Sequence, residues 1–270
     1  MNPVLQVEHL SISFTQYDRG TRRRRLPVIR DLSFSVQPGQ VVAVVGASGS
    51  GKSLLAHGIL GILPYNSAME GTILYQGEPL TRKRLETLRG REIALIPQGV
   101  TYLDPRMEVG AQLRKGRSDL SAREKSRNVL ARYGLGPEVE RLYPFELSGG
   151  MARRVLIATA VMEQPGLILA DEPTPGLDAR ATGRILGHIR ERAEEGTGVL
   201  FITHDLELAL TIAHRVLVLY AGETIEEAVA ADFAAGRLRH PYTRALWNAL
   251  PCNGFQPIPG SQPGPGEIAD

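Results

Sequence analysis

The segment GASGSGKS at residues 46–53 contains the residue types that bind phosphate groups. It fits the pattern G-x-x-x-x-G-K-[ST], in which glycines let backbone N–H groups converge on phosphate oxygens. The following helix presents its positive end, the lysine adds a charge near the β- and γ-phosphates, and the serine hydroxyl group reaches Mg²⁺. The residues predicted to bind a nucleotide here are Gly46, Ala47, Ser48, Gly49, Ser50, Gly51, Lys52 and Ser53.

Two adjacent carboxylates, Asp171 and Glu172, follow the apolar run LILA at 167–170. An apolar strand that ends in two acids needs a use for them, because unpaired buried charge is costly. Beside a triphosphate and Mg²⁺, Asp171 would bind or orient the metal ion, and Glu172 would polarise the attacking water as a general base. Taken alone, the pair also fits a helix N-cap.

Three further features do not indicate a function when each is taken alone. Gln98 follows REIALIP, and His204 follows VLFIT, at the end of a predicted strand where ligands of a parallel sheet collect. A lone histidine is usually a packed or surface residue. The third feature is ELSGGMARR at 146–154, which carries two glycines before a helix-like run. It resembles a second phosphate-binding loop, almost a hundred residues after the first.

The elements around these residues predict an α/β fold. Apolar and polar residues partly alternate at 4–14 and 28–36, which indicates antiparallel strands with one solvent-exposed face. Buried strands alternate with helical segments, which indicates a mostly parallel sheet. The apolar runs that predict these strands lie at 41–45, 92–97, 167–171, 199–203 and 215–220. We predict an inserted helical subdomain at about 99–155, one domain over 1–240, and a Pro/Gly-rich tail with a short helix over 241–270.

Composition restricts the function classes. The chain has 31 basic and 29 acidic residues, a net charge of +2, so its overall field does not attract nucleic acid. The basic run Arg22–Arg25 is predicted to be a solvated loop between two strands, with contact to lipid headgroups or a partner as the alternative. A single cysteine, Cys252, cannot form an internal disulfide or hold a zinc or iron–sulfur site alone, so we expect a reducing compartment and no cluster. Without a long apolar stretch or a signal-peptide layout, we expect a soluble chain.

Taken together and in this order, GASGSGKS, Gln98, LSGGM, LILADE, PGLD at 175–178 and His204 resemble the ATPase subunit of ATP-binding cassette (ABC) transporters. The resemblance covers about residues 4–230. It implies a P-loop NTPase of the ABC type, which uses ATP and Mg²⁺ and has an antiparallel β subdomain and a helical subdomain. It also implies two ATPase domains that close head to tail, with each ATP between the P-loop of one and the LSGG segment of the other.

The same resemblance implies roles for single residues. Gln98 would contact Mg²⁺ or the lytic water, and His204 would touch the γ-phosphate. Asp178 would act at the interface between the two ATPase domains, called the seam below. Phe14 would stack on adenine, with Tyr17 as the alternative residue for that role. The residues implied to hold the partner's γ-phosphate are Ser148, Gly149 and Gly150.

Three positions depart from the family pattern: Met151 and Arg153 stand where glutamine is common, and Pro175 stands where a small hydroxyl residue is common. These departures concern the geometry of the seam, because the phosphate-binding serine and glycines and the predicted base Glu172 are all present.

The tail HPYTRALWNALP resembles ATPases of dipeptide, oligopeptide and nickel importers, and GILP at 61–64 favours the nickel and metallophore members. The implied cargo is a small oligopeptide, a nickel ion or a metal chelate. The implied partners are a second, different ATPase chain, two permease chains and an extracytoplasmic substrate-binding protein, at the cytoplasmic face of the inner membrane. The alternative is a soluble ABC ATPase acting on nucleic acid or the ribosome, which would need a wider basic face. Intact Lys52, Asp171, Glu172 and His204 disfavour a regulator without turnover.

Overall fold

The computed structural model describes residues 2–18 and 22–258. The β-strands are β1 (Leu5–Asp18), β2 (Arg22–Val36), β3 (Val41–Val45), β4 (Ser67–Tyr75), β5 (Glu78–Pro79), β6 (Ile93–Ile96), β7 (Leu167–Asp171), β8 (Gly198–Thr203), β9 (Arg215–Tyr220) and β10 (Glu223–Val229). The α-helices are α1 (Lys52–Ile59), α2 (Arg82–Leu88), α3 (Val109–Arg114), α4 (Leu120–Arg132), α5 (Gly149–Val161), α6 (Ala179–Glu194), α7 (Leu206–Ile212), α8 (Ala230–Ala234) and α9 (Pro241–Asn248).

The strands form two sheets. A four-stranded antiparallel sheet has the order β2-β1-β4-β5, and a six-stranded sheet has the order β10-β9-β3-β8-β7-β6. In the larger sheet, β9, β3, β8, β7 and β6 are parallel, and β10 pairs antiparallel with β9 at one edge. The strands β3, β7 and β8 are buried along their whole length, as expected for central strands covered on both faces.

Three apolar clusters hold these layers together. The first lies between the two sheets and includes Leu55 and Ile59 of α1. The second packs the opposite face of the large sheet against α3 to α6, with Phe201 of β8 fully buried. The third joins β3 and β9 to the C-terminal helices around Phe233. The helix α1 therefore begins at the edge of the large sheet and lies between layers that fix its direction.

The α/β class predicted from the sequence, with a mostly parallel sheet and an antiparallel β unit, is confirmed. Between β6 and β7 the described chain forms helices and short 3-10 turns, from Val100 to Val161. The proposed boundary of a helical subdomain near 155 remains a prediction, and α5 continues past it. The end of the predicted tail, residues 259–270, lies outside the described residues.

One prediction was wrong. The basic run belongs to β2 instead of a loop, with Arg23 paired to Tyr17 and Arg25 paired to Thr15 in the register of β1. Pairing in a long hairpin supplies the backbone hydrogen bonds that a loop would take from water, while the side chains of Arg23 and Arg25 stay exposed. Arg25 also contacts Ser13 and Glu70, so its charge is used within the β unit.

Within residues 2–18 and 22–258, none of the helices combines the length and the apolar character needed to cross a bilayer.

Candidate active site

The carboxyl ends of neighbouring parallel strands bring the predicted site residues together. In the order of the sheet, β3 leads into the P-loop, β8 ends before His204, and β7 ends at Asp171. The register pairs Val45 with Thr203 and Asp171 with Ile202, so these strand ends lie at the same level. Ligands of open parallel sheets bind at this edge, because the loops that follow the strands diverge there.

The P-loop between β3 and α1 needs glycine at two positions for different reasons. At Gly46, a Cβ atom would lie 2.3 Å from the carbonyl oxygen of Leu219, which leaves no space for a side chain. At Gly51, φ is +91°, a left-handed conformation that side chains rarely adopt, and it immediately precedes the first residue of α1. The loop therefore makes a tight turn that leads into the amino end of α1. Backbone N–H groups at such a helix end favour a bound phosphate.

The ammonium group of Lys52 is buried in this loop. Its Nζ donates hydrogen bonds of 2.8 Å to the carbonyl oxygens of Gly46 and Ala47. Burial lowers the pKa of Lys52, and the nearby carboxylates of Glu172 and Asp171 oppose that shift. A buried ammonium group whose hydrogen bonds go to neutral oxygen atoms, with no carboxylate of the described chain in direct contact, is arranged to bind an anion.

Ser53 and Asp171 form the candidate Mg²⁺ site. The Ser53 hydroxyl group donates to Oδ1 of Asp171 across 3.0 Å, although the two residues are 118 positions apart. Burial raises the pKa of Asp171, the Ser53 hydrogen bond opposes that shift, and the adjacent carboxylate of Glu172 adds to it. Two crowded acids beside a hydroxyl group fit a divalent cation, since Mg²⁺ takes oxygen ligands from one or two carboxylates and from bound phosphates.

Glu172 and His204 contact each other directly. Oε1 of Glu172 accepts the backbone N–H of His204 at 2.9 Å and lies 2.7 Å from its Nδ1. Oε2 accepts the Thr203 hydroxyl group at 3.3 Å. Glu172 has φ of +47°, a strained conformation for a residue with a side chain, of the kind that accumulates at functional sites. The carboxylate is thus held by the chain that follows β8 while it faces the P-loop.

Arg153, which departs from the family pattern, hydrogen-bonds to the backbone of the strained residue Glu172. Its guanidinium Nη1 donates to the carbonyl oxygen of Pro97 at 3.1 Å and to that of Glu172 at 3.2 Å. The side chain comes from α5 and is buried. One arginine therefore ties the helix that follows the LSGG segment to the loop of Gln98 and to the backbone of the candidate base. Sequence reasoning missed this contact, and its only signal was that Arg153 stands where glutamine is common in the family.

A cavity of about 410 Å³ covers this edge of the sheet. Its volume falls within the range of small-molecule sites, and Gln98 reaches it from the loop after β6. The lining residues are Val28, Ser48, Gly49, Gly51, Lys52, Ser53, Leu54, Gln98, Glu172 and His204. The structure thus brings together P-loop, base, histidine and glutamine from four separate segments.

The LSGG segment lies outside this cavity. Ser148 is the N-cap of α5, its Oγ accepting the backbone N–H of Met151, and both Ser148 and Gly149 are exposed. The nearest atoms to a Cβ built on Gly150 belong to Gly176 and Leu177 at 3.8 Å. Asp178 is the exposed N-cap of α6, its Oδ1 accepting the amide of Ala181 at 2.7 Å. The two segments predicted for the seam therefore lie next to each other.

Phe14 does not line the cavity. It is partly buried and packs against the cluster between the sheets. Tyr17, the competing aromatic residue, is 65% exposed and lies under the guanidinium group of Arg23. Neither ring reaches the cavity in this structure, so adenine stacking by Phe14 remains a prediction.

Residues 29–175 match the family model described as ABC transporter. The chain is 37% identical over 97% of its length to the dipeptide transport ATP-binding protein DppD of Bacillus subtilis (strain 168), covering 83% of that protein. It is also 37% identical to the oligopeptide transport ATP-binding protein OppD of Salmonella typhimurium, over 93% of this chain and 77% of that one.

Solved structures share the fold. The ATP-binding subunit of an ABC transporter superposes with a TM-score of 0.73 and 27% identity, covering 90% of this chain and 98% of the other. The cassette MJ0796 in a post-hydrolysis state, bound to ADP and Pi, superposes with a TM-score of 0.73 over 84% of this chain and 98% of the other. At 24% identity, this second likeness concerns the fold alone.

Proposed function

Because this chain belongs to the ABC transporter family and is an ATPase of that family, we propose that it drives an importer of dipeptides or short oligopeptides. The observation that carries the catalytic part is a single cavity that unites the P-loop, Gln98, Glu172 and His204, while Ser148 stays exposed outside it. The cargo is inferred from relatives that are dipeptide and oligopeptide transport proteins by name.

The polar residues in and beside the cavity have distinct parts in ATP hydrolysis. Lys52 and the P-loop amides bind the β- and γ-phosphates, and Ser53 and Asp171 would hold Mg²⁺, with Gln98 beside them. Mg²⁺ held there would supply neutralisation of the charge on the phosphates. Glu172 accepts a proton from the attacking water, and His204 orients the Glu172 carboxylate through the 2.7 Å contact and faces the γ-phosphate. Electrostatic positioning, more than covalent chemistry, accelerates phosphoryl transfer.

The second part of the proposal is a head-to-tail pair of ATPase chains. Ser148, Gly149 and Gly150 lie at the amino end of a 13-residue helix, where backbone N–H groups and the helix dipole favour an anion. They serve a nucleotide held by the P-loop of a partner chain, and Asp178 contacts the partner at the same surface. Two permease chains and an extracytoplasmic binding protein complete the importer, with this chain peripheral at the cytoplasmic face of the inner membrane.

The peptide cargo is favoured over the other cargoes that the sequence suggested. The nickel ion or metal chelate rests on the resemblance of the tail and of GILP at 61–64, whereas two relatives at 37% identity are peptide transport proteins by name. The alternative of an ATPase acting on nucleic acid or the ribosome is not favoured, because the net charge is only +2 and the relatives reported above are transport proteins.

Uptake in a strain that lacks this chain tests the cargo. We expect loss of uptake of labelled dipeptides or short oligopeptides, restored by the parent chain and not by Glu172→Gln. Retained uptake of labelled Ni²⁺ in the same strain would separate the peptide proposal from the nickel one. Loss of Ni²⁺ uptake with normal peptide uptake would contradict the proposed cargo while leaving the ATPase intact.

A further inference from the structure

The helix α5 connects the exposed LSGG segment to the interior of the chain. Ser148, its N-cap, is exposed, whereas Arg153, in its second turn, is only 8% exposed. Five residues span about 7.5 Å of a continuous helix. Beyond them the helix packs into the second apolar cluster through Val155 and Ile157, both fully buried. A group that binds at the exposed end of α5 therefore acts on the same packed element as Arg153.

The guanidinium group of Arg153 holds two carbonyl groups that are far apart in the chain. Its Nη1 lies 3.1 Å from the carbonyl oxygen of Pro97 and 3.2 Å from that of Glu172, and it donates to both. Burial lowers the pKa of Arg153, and the carboxylates of Glu172 and Asp171 oppose that shift. A buried charge is costly unless hydrogen bonds compensate it. The guanidinium group and the two carbonyl groups therefore keep one another in place.

Both carbonyl groups belong to segments that form the ATP cavity. Pro97 immediately precedes Gln98, and Gln98 and Glu172 both line the cavity. The backbone of Glu172 is fixed on both sides, because its N–H donates to the carbonyl oxygen of Ile202 at 2.9 Å and its carbonyl oxygen accepts Arg153. These two bonds hold a strained φ of +47°, which a residue with a side chain leaves when its partners are removed. Arg153 therefore sets the direction of the candidate base and of the Gln98 loop together.

The next residue, Arg154, has the same chemistry and different targets. Its Nε donates to the carbonyl oxygen of Gly150 at 3.1 Å. Its Nη1 donates to the carbonyl oxygens of Tyr133 at 3.1 Å and Gly134 at 3.2 Å, at the end of α4. The two adjacent arginines thus have separate parts: Arg154 attaches the first turn of α5 to α4, and Arg153 attaches the second turn to the catalytic residues.

We propose that Arg153 is a positioning residue that couples the LSGG segment to hydrolysis of this chain's own ATP. Binding of a partner chain's nucleotide at Ser148 fixes α5, and Arg153 then holds Glu172 in the conformation that is active in hydrolysis. The inference rests on the proposed function and adds regulation to the same site. The element with two states is the backbone of Glu172, which is aligned while Arg153 holds its carbonyl group and relaxes when that bond is lost. A residue that aligns the base without touching ATP affects kcat more than the affinity for ATP.

The test uses the assembled transporter and compares two variants of Arg153. Arg153→Met removes every donor, whereas Arg153→Gln keeps an amide donor on a side chain of the same length as methionine. Arg154→Met is the matched control on the same helix. Steady-state turnover is measured against MgATP concentration, and ATP-driven association with the partner ATPase is measured in the Glu172→Gln background. Denaturant unfolding checks that each variant is folded.

We expect Arg153→Met to associate with the partner as the parent does, because Ser148 and the P-loop are untouched. Its kcat should fall at least about tenfold, the effect of losing one hydrogen bond to a charged group, while KM for MgATP stays within about twofold. Arg153→Gln should turn over at least about threefold faster than Arg153→Met, because its amide group can donate to a carbonyl group. In Arg154→Met, any loss of turnover should be matched by a parallel loss of association.

A double-mutant cycle tests the coupling itself. Ser148→Ala removes the hydroxyl group at the exposed end of α5 and should lower kcat at least about fivefold in the parent, the effect of one hydrogen bond. In the Arg153→Met background the same change should lower kcat by less than about twofold, because the connection to Glu172 is already lost. Ser148 and Arg153 lie about 7.5 Å apart along α5, so their effects should be non-additive only if α5 connects them.

Three results would overturn the coupling. The first is a parental kcat in Arg153→Met. The second is a loss of kcat in Arg153→Met that comes with an equal loss of association or that Arg153→Gln does not relieve, because the side chain would then serve only the packing of α5. The third is additive effects of Ser148→Ala and Arg153→Met. A parent chain that neither associates under MgATP nor hydrolyses it would instead contradict the proposed function, so the two failures are distinguishable.

Discussion

The P-loop and the LSGG segment are built from similar residues but have opposite surroundings. In the P-loop, Ser50 is 2% exposed and Lys52 is 7% exposed, and side chains or carbonyl groups from three other segments confine the loop. In the LSGG segment, Ser148 is exposed, and a Cβ atom added to Gly149 would meet nothing within 4 Å. The first segment is enclosed by its own chain, while the second presents its helix end to solvent.

This difference shows how two segments of similar composition can serve different nucleotides, one bound by the same chain and one bound by a partner chain. A site that must bind nucleotide first needs its charges held in place before the ligand arrives, as Lys52 and Asp171 are. A site that acts only when two chains close must stay open until then. The exposure of Ser148 therefore supports the proposed role toward a partner chain.

The largest effect is expected from Lys52→Ala. The methyl group cannot replace an ammonium group beside phosphate, and Gly46 and Ala47 lose their shared donor. MgATP affinity measured by calorimetry should fall at least about a hundredfold, since each charge-assisted hydrogen bond contributes about 1.5–3 kcal/mol. Lys83→Ala, at an exposed position on α2, is the control and should bind normally. Normal phosphate release by the Lys52 variant would refute the P-loop assignment.

Glu172→Gln should bind MgATP and turn it over about 10²–10⁴ times more slowly, because an amide is a poor proton acceptor. The amide oxygen can still accept the backbone N–H of His204, so the fold of the site is kept. His204→Ala should also lose turnover, because the carboxylate loses a contact at 2.7 Å. Phosphate release in the assembled transporter is the measurement, and a parental rate in either variant would exclude the role assigned to that residue.

Ser148→Arg sharpens the contrast most directly. The arginine places a bulky cation on the exposed segment and leaves the P-loop of the same chain untouched, so monomer affinity for MgATP should stay within about twofold. ATP-driven association with the partner ATPase, followed by light scattering in a Glu172→Gln background, should fail. Ser118→Arg, exposed between α3 and α4, should associate normally. If Ser148→Arg weakened monomer binding as much as Lys52→Ala, the segment would serve the nucleotide of its own chain.

Arg153→Met tests the contact between α5, the helix that begins in the LSGG segment, and the backbone of Glu172 in the active site. It leaves the carbonyl groups of Pro97 and Glu172 without their donor, which should lower the free energy of unfolding by about 1–3 kcal/mol and reduce turnover. Arg154→Met removes carbonyl contacts to Tyr133 and Gly134 instead and should cost similar stability with a smaller loss of turnover. Equal turnover in both variants, measured with denaturant unfolding in parallel, would assign Arg153 a purely structural part.

The smallest effect concerns a region remote from both segments. Burial, with Arg132 and Arg192 nearby, lowers the pKa of His188 to about 4. The fold therefore favours the neutral ring, and the stability it contributes is complete above the unfolded pKa of about 6.5 and is lost as the pH falls toward 4. Between pH 7 and pH 5, the free energy of unfolding should fall by about 1–2 kcal/mol. His188→Gln should reduce that slope in denaturant titrations, and an unchanged slope would exclude this histidine as its source.

Much of the fold could be predicted from the sequence because the signals are local. The run Val41–Val45 and the run Leu167–Asp171 are wholly apolar up to the site, and both form strands with the predicted bounds. The strands β4 and β10 were missed, because β4 is mostly exposed and β10 carries three glutamates, so neither has an apolar run. The basic stretch in β2 was misassigned for the same reason: a charged segment can pair as an edge strand when its neighbour supplies the hydrogen bonds.

The sequence by itself determined which groups can do chemistry: the spacing of the P-loop glycines, Lys52 and Ser53, and the paired acids at the end of β7. These depend on bonds within a few residues, which a motif encodes directly. Only the tertiary structure decided what surrounds them. Contacts such as Ser53 with Asp171 and Arg153 with the carbonyl group of Glu172 join residues far apart in the chain, and they arise because the parallel strands end at one edge of the sheet. Burial and exposure, which distinguish the P-loop from the LSGG segment, follow from packing across layers and leave no local mark in the sequence.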